Sequence, residues 1–270
     1  MATEGKKTID ILGRNLDRAE KAWRYLLALV SHPNRVPWLL WQILGKRVHA
    51  GELLRLMPFA GWLQGRGIKT VLDAGAHSGE FSSAIHALVP GASIIAFEPQ
   101  EAPCRAIRGR LGSRAKLVTF NVALSDRDGT ATFYRSDFTK SSSLLPMADR
   151  HRQAFPWTAS SEPIEVTVRS LASVTKGLDL PRPVLLKIDV QGSECALLEG
   201  AVACMERIDM VLLETSMVPL YEGDASFDTV YRWLVARGFR YAGSFDQLLD
   251  PCGGEVLQQD SLFVRDDGAG

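Results

Sequence analysis

The sequence predicts an α/β protein, a doubly wound and mostly parallel sheet preceded by a helical extension. Short Val-, Ile- and Leu-rich runs without polar alternation recur from Ile68 onward, amphipathic stretches separate them, and glycine or proline marks the joins. Such runs suit strands buried on both faces of a parallel sheet. The alternation suits crossover helices. With 270 residues and 46% apolar composition, the chain can bury one good-sized core, or a core plus a small extension.

Residues 1–66 read as a mainly helical extension, interrupted by Pro33 and Pro37, with Trp23, Trp38, Trp41 and Trp62 spaced through it. The domain proper is expected over 67–270. The extension holds 11 Lys/Arg against 5 Asp/Glu, and the remainder 20 against 26, so a basic head precedes an acidic body in a chain of zero total charge. That total does not suggest a nucleic-acid partner. Two readings stand for the head. Its Trp-rich face, with Arg24, Lys46 and Arg47, could make peripheral membrane contact, or it could cover a domain edge or build a homodimer, the commoner use of such helices. The apolar runs YLLALV and VPWLLWQIL are far shorter than the ~20 residues a bilayer span needs. No apolar segment follows the lysines of MATEGKKTID. Cys104, Cys195, Cys204 and Cys252 form no CxxC pair and fit reduced thiols in a cytoplasmic protein.

Five strands are expected in IKTVLDAG (68–75), ASIIAFEP (92–99), AKLVTFNVAL (115–124), VLLKIDVQG (184–192) and IDMVLLETS (208–216). A helix over FSSAIHALV carries Phe81, Ala84, Ile85, Leu88 and Val89 on one stripe, and Pro90-Gly91 stops it. Another, SFDTVYRWLVARG, has Ser226 as N-cap, a stripe through Phe227, Val230, Tyr231 and Leu234, and Gly238 past its end. DGTATFYRS (128–136) and PIEVTVRSL (163–171) break the alternation and read as an antiparallel pair. A long polar loop, 137–162, separates them.

The run VLDAGAHSGEFSS (71–83) places an acid at a strand end, then two glycines, then an apolar-periodic helix. In open α/β sheets ligands bind beyond the carboxyl ends of the strands, near the switch point. A dinucleotide site requires G-x-G-x-x-G; counted from Gly75, its second and third glycines would fall at His77 and Glu80, so that fingerprint fails. D-A-G-A-x-x-G instead suits S-adenosylmethionine. Gly75 and Ala76 allow close backbone approach, Gly79 opens a helix whose free N–H groups can hold a carboxylate, and Asp73 braces the turn or faces the ammonium. Glu98, ending the second strand, can accept both ribose hydroxyl protons. Asn121, ending the third, reaches the adenine edge or merely starts a turn.

These segments in series resemble the FkbM family of S-adenosylmethionine-dependent methyltransferases. The likeness is carried by VLDAGAHSGEFSS, IIAFEPQ, VTFNVALSDRDGTATFY, SSSLL, VRSLASV, LLKIDVQGSECALLEGA and VLLETSMVPLY, over about residues 68 to 265. It implies a Rossmann-like, class I methyltransferase fold and O-methylation of a hydroxyl, often on a sugar of a surface polysaccharide, a glycolipid or a secondary metabolite. The resemblance assigns Asp73, Gly75, Ala76 and Gly79 to the cofactor turn, Glu98 to the ribose, and Lys187 and Asp189 to the KID motif; the full set of candidate cofactor contacts is Asp73, Gly75, Ala76, His77, Gly79, Phe81, Ser82, Glu98, Pro99, Asn121, Ala123 and Asp189. Three positions depart from the family pattern: His77 stands where Asn is usual, Gln191 where Glu is frequent, and Ser193 where an aromatic is frequent.

For the chemistry, Asp189 and Glu214 end the fourth and fifth strands on the ligand edge. One could be a general base, or both could hold Mg²⁺. Lys187, on the same strand face as Asp189, is either catalytic or a buried salt-bridge partner. Asp189, Glu214 and Lys187 are therefore the candidate catalytic residues, with Asp189 the preferred base. The loop 137–162 is read as a lid over a small-molecule or glycan acceptor. Ser142, Ser143, His151, Trp157 and Tyr221 are its candidate contacts, though a lone loop histidine is usually exposed. The rival readings are a nucleotide-dependent oxidoreductase and a non-catalytic scaffold that binds the cofactor.

Overall fold

The computed structural model of the chain describes residues 30, 36–45, 48–112, 115–250 and 254–266. Trp23, Arg24, Pro33, Lys46, Arg47 and Cys252 lie outside the described residues, and with them most of the basic face expected of the extension. Among the described residues the helices α1 (Val36–Leu44), α2 (Ala50–Leu56) and α3 (Ala60–Gly65) precede the sheet. Strand β1 (Thr70–Ala74), helix α4 (Glu80–Leu88), β2 (Ser93–Phe97), α5 (Glu101–Leu111) and β3 (Lys116–Phe120) follow in alternation. The chain then leaves the main sheet for β4 (Ala123–Ser125), β5 (Gly129–Ser136), α6 (Asp149–Ala154) and β6 (Ser161–Ser170). It returns through α7 (Leu171–Val174), β7 (Val184–Ile188), α8 (Glu194–Ala201) and β8 (Met210–Ser216). It closes with α9 (Phe227–Val235), β9 (Phe239–Leu249) and β10 (Val256–Arg265).

The main sheet has the order β3-β2-β1-β7-β8-β10-β9. Its first five strands are parallel; β10 runs antiparallel between β8 and β9. Strand order reverses between β1 and β7, so the switch point lies over the ends of those two strands. All five residues of β1 and all five of β7 are buried. Successive side chains go to opposite faces: Val71, Leu185 and Leu212 join one core, Leu72, Leu186 and Leu213 the other. Leu53, Leu56, Met57 and Leu63 of the helices before β1 belong to the first core, with Ile85 and Leu88 of α4. Burying each such leucine contributes about 1.5–3 kcal/mol, which fastens residues 50–65 to the sheet.

The antiparallel pair expected from 128–136 and 163–171 is present as β5 and β6, with β4 parallel to β6 on its other edge. Ser226 caps α9, accepting the Thr229 N–H as its position suggested. Strands β9 and β10 were not legible. The run QQDS, 258–261, is polar, yet Ser261 is fully buried because its hydroxyl is satisfied by Thr215 Oγ1 at 2.7 Å. Among the described residues no helix is long and apolar enough to cross a membrane.

Candidate active site

A cleft of about 1690 Å³ opens along the carboxyl ends of β1, β2, β7 and β8. It is large enough for a nucleoside and a second ligand together, since single-ligand pockets run to about 300–1,000 Å³.

One end is built by the first turn. Asp73 is fully buried at the end of β1, where the Ser82 hydroxyl of α4 donates to its Oδ2 at 2.6 Å. Its Oδ1 has no partner, and burial pushes its pKa up to about 6 against the pull of Lys187. Gly75 has φ +75°, and a Cβ there would lie 1.8 Å from the Asp189 carbonyl oxygen. The bare backbone is thus required first by β7 crossing over the turn, a cause the motif alone does not reveal. Glu98, at the end of β2, is 4% exposed and accepts the His77 N–H at 3.0 Å and the Gln100 N–H at 2.8 Å. Burial raises its pKa to about 7 in spite of those donors. Each of its oxygens keeps a second lone pair facing a cleft walled by Phe97, Pro99, Val122 and Ala123.

The other end of the cleft holds the charged strand ends. Lys187 Nζ, almost fully buried, donates to Asp189 Oδ2 at 2.7 Å and lies 5.7 Å from the Phe81 ring centroid. Gln191 Nε2 donates to Asp189 Oδ1 and to Glu214 Oε2, both at 2.7 Å. Burial alone would raise the pKa of Asp189, but Lys187 overrides it and holds the carboxyl below its ordinary range. Glu214 goes the other way: burial, then Asp189 and Asp260, push it well above. Two neighbouring carboxyls thus differ in basicity because only one has a cation beside it. Asp260 sits opposite Glu214 across the β8–β10 pair and is paired with Arg55 of α2, which also binds Glu52.

The insert between β5 and β6 covers the cleft, touching both the first turn and the strand ends. Thr139 Oγ1 bonds His77 Nε2 at 2.8 Å, and Lys140 lies 3.6 Å from Glu80 at the start of α4. His151 is 5% exposed, edge-on to Phe155 and Tyr221, and its Nδ1 has no partner. Burial, then Arg152, lowers its pKa to about 4, so the ring is neutral. Phe138 and Trp157 stand half-exposed at the cleft mouth.

The family model described as "Methyltransferase FkbM domain" matches residues 73–241, more than half of the chain. This chain belongs to the FkbM methyltransferase domain family. The 2-O-methyltransferase NoeI of Sinorhizobium fredii is 27% identical over 159 residues, 57% of this chain and 65% of NoeI. The 31-O-demethyl-FK506 methyltransferase FkbM of Streptomyces tacrolimicus is 28% identical over 210 residues, 70% of this chain and 78% of that protein. The chain thus spans just under two thirds of NoeI. Among solved structures, M. capricolum TrmK in complex with S-adenosyl-homocysteine is similar at a TM-score of 0.44, with 8% identity over 76% of this chain and 68% of that one.

The FkbM domain brings most of the sequence-predicted residues into one cleft: Asp73, Gly75, Ala76, His77, Phe81, Glu98, Pro99, Ala123, Ser142, His151, Trp157, Lys187, Asp189 and Glu214 all line it. Five expected contacts stand one step back instead. Ser82 is fully buried and spent on Asp73. Gly79, at φ +80°, packs on Ile107. Asn121 donates to the Glu98 and Pro99 carbonyls at 2.9 and 2.8 Å, so it braces the turn after β2 rather than reaching the cleft. Ser143 donates to the Gln191 carbonyl, and Tyr221 to Gln191 Oε1. The expectation of an exposed loop histidine is corrected: α6 and two single-turn helices fold the insert, and His151 sits inside it.

Mg²⁺ between Asp189 and Glu214 is not supported. The position between them is taken by an amide nitrogen, and no group of three His, Cys, Asp or Glu among the described residues is arranged to hold a metal. Sequence reasoning missed Arg55, Asp260 and Glu80 as cleft residues and named Gln191 only as a departure from pattern. The acidic residue in QQDS and the arginine in GELLRL are ordinary until the fold places them over the same sheet edge.

Proposed function

We propose that this protein is an S-adenosylmethionine-dependent O-methyltransferase whose acceptor is a hydroxyl on a sugar-bearing molecule. The observation that carries the reading is a single cleft joining the Asp73–Glu98 turn to the Asp189–Glu214 strand ends. At the first end, the partnerless Asp73 Oδ1 suits the ammonium of the cofactor, the open lone pairs of Glu98 suit its ribose hydroxyls, and Phe97, Pro99, Val122 and Ala123 suit an adenine. When bound, the cofactor supplies an electrophilic methyl group.

The chain's own residues then have two tasks, orienting the acceptor oxygen and taking its proton. Glu214 is the better base of the pair, because its surroundings raise its basicity while Lys187 lowers that of Asp189. In this reading Asp189 and Lys187 form a fixed ion pair that orients the acceptor, and Glu214 holds the departing proton. The neutral His151 and the half-exposed Phe138 and Trp157 offer a hydrogen-bonding group and aromatic faces to a sugar ring. That two relatives bear the names of O-methyltransferases supports an oxygen acceptor. A dinucleotide oxidoreductase is disfavoured by the side chains of His77 and Glu80 where bare backbone would be needed.

The test is calorimetry with S-adenosylhomocysteine, followed by labelled-methyl transfer to a panel of glycosides and glycolipids. Binding together with label on an acceptor hydroxyl is the expected result. Absence of binding by folded protein overturns the reading.

A further inference from the structure

We propose that Gln191 does the work of a bridging metal ion, its side-chain amide holding Asp189 and Glu214 together so that methyl transfer proceeds without a divalent cation. This rests on the reading of Asp189 and Glu214 as the reacting carboxyl pair. Two acidic groups at the ends of adjacent parallel strands repel each other and need something between them, either a cation, a shared proton or N–H donors. Gln191 is the third kind. An amide has two N–H groups, and Nε2 lies 2.7 Å from an oxygen of each acid.

The direction of that amide is imposed. Tyr221 O–H lies 2.8 Å from Gln191 Oε1, nearer than its other acceptor, the Ser141 carbonyl at 3.3 Å. The phenol is 1% exposed, and burial followed by Glu214 makes its proton harder to lose, so it remains a donor. A donor at the oxygen end leaves the nitrogen end for the acids. The backbone is committed to the same purpose. Gln191 has φ +54°, a conformation unfavourable for a residue with a side chain. It is held there by Ser143 Oγ on its carbonyl, and by Gly192, where a Cβ would meet Tyr221 at 2.7 Å.

Every acid of the cluster thus finds its partner within the chain: Lys187 and Gln191 for Asp189, Gln191 for Glu214, and Arg55 for Asp260. The chemical consequence favours catalysis. A divalent ion would draw the proton affinity out of Glu214, whereas a neutral amide fixes its position and leaves it basic. Gln191 is therefore a positioning residue. Changing it to Glu would place three carboxyls around the spot the amide nitrogen now fills, with the chemistry of a hard-cation site.

The experiment uses Mn²⁺ as the probe, read by calorimetry and by its paramagnetic resonance spectrum, on the full chain and on Gln191→Glu. S-adenosylhomocysteine binding serves as the check of fold. The full chain is expected to bind no Mn²⁺ at about 1 mM, and its methyl transfer to change less than about twofold in chelator. Gln191→Glu is expected to bind Mn²⁺ at least about tenfold more tightly and to lose turnover. Turnover of the full chain that chelator abolishes and Mg²⁺ restores would overturn the proposal, as would Mn²⁺ binding equal in the two proteins. If the variant does not fold, the Mn²⁺ titration of the unaltered chain decides alone. Failure of the methyltransferase reading would appear separately, as absence of S-adenosylhomocysteine binding.

Discussion

The two ends of the cleft are built by different means. The Asp73–Glu98 end is made of neighbouring chain: a strand, a five-residue turn, a helix and the next strand end, tied by backbone N–H groups to Glu98 and by Ser82 to Asp73. The Asp189–Glu214 end is made of side chains from distant segments. Arg55 arrives from α2, Asp260 from β10, Tyr221 from the loop after β8 and Ser143 from the insert. A backbone-built site tolerates few substitutions because geometry fails at once. A side-chain-built site loses function in steps.

The sharpest way to break that comparison is Gly75→Ala. Its Cβ would overlap the Asp189 carbonyl oxygen, and φ +75° is already costly for alanine. Since the clash lies between the two ends, both should fail together. Loss of S-adenosylhomocysteine binding and a large fall in melting temperature are expected. A variant that melts normally and binds would mean the ends are not joined through this crossing.

Glu214→Gln should come next, and it should separate the ends. Methyl transfer is expected to fall about 10²–10⁴-fold, the usual contribution of a general base. S-adenosylhomocysteine affinity should stay within about threefold, because Glu214 belongs to the acceptor end. Equal losses in rate and in cofactor affinity would place Glu214 on the wrong side of the comparison.

A smaller, graded effect is expected from pH at the first end. Free Glu98 keeps its proton up to about pH 7, and ribose hydroxyls favour its charged form, so binding below that pH expels a proton. Affinity for S-adenosylhomocysteine should therefore rise by about tenfold per pH unit up to about 7 and level off above it. Below about 6 the slope should steepen, as Asp73 also begins to carry a proton that the ligand's ammonium must displace. Calorimetry from pH 5 to 9 reads this. Glu98→Gln should remove the upper limb and leave the lower one.

This division also explains what was legible in the sequence. The first end is local, so D-A-G-A-x-x-G and the acid after β2 could be read in order. The main sheet was legible for the same reason, each strand being an apolar run such as VLLKI. The second end was only half legible. Asp189 and Glu214 announced themselves at strand ends, but Arg55 and Asp260 carry no signal until tertiary pairing brings α2 over β10. Strand β10 itself was hidden because buried Ser261 and Gln259 satisfy each other and their neighbours, so polar residues occupy the sheet interior. His151 was misjudged because burial of a neutral imidazole depends on Phe155 and Tyr221 enclosing it, and Tyr221 lies 70 positions along the chain.

The smallest effect is expected at the mouth, where the comparison can be sharpened without disturbing either end. Trp157 is 42% exposed, and its ring touches Phe155 edge-on at 5.6 Å between centroids. Trp157→Ala removes an aromatic face but no charge and no buried core, so stability should change little. If the mouth receives a sugar, a face-on contact of about 0.5–1.5 kcal/mol disappears, and KM for the acceptor should rise roughly 2- to 13-fold. The turnover number should hold, because the contact is the same before and during transfer and so contributes uniformly. Cofactor affinity should not move at all. A fall in turnover at unchanged KM would mean instead that Trp157 orders the insert on which His151 and Ser143 stand, and that the mouth is part of the machinery rather than its entrance.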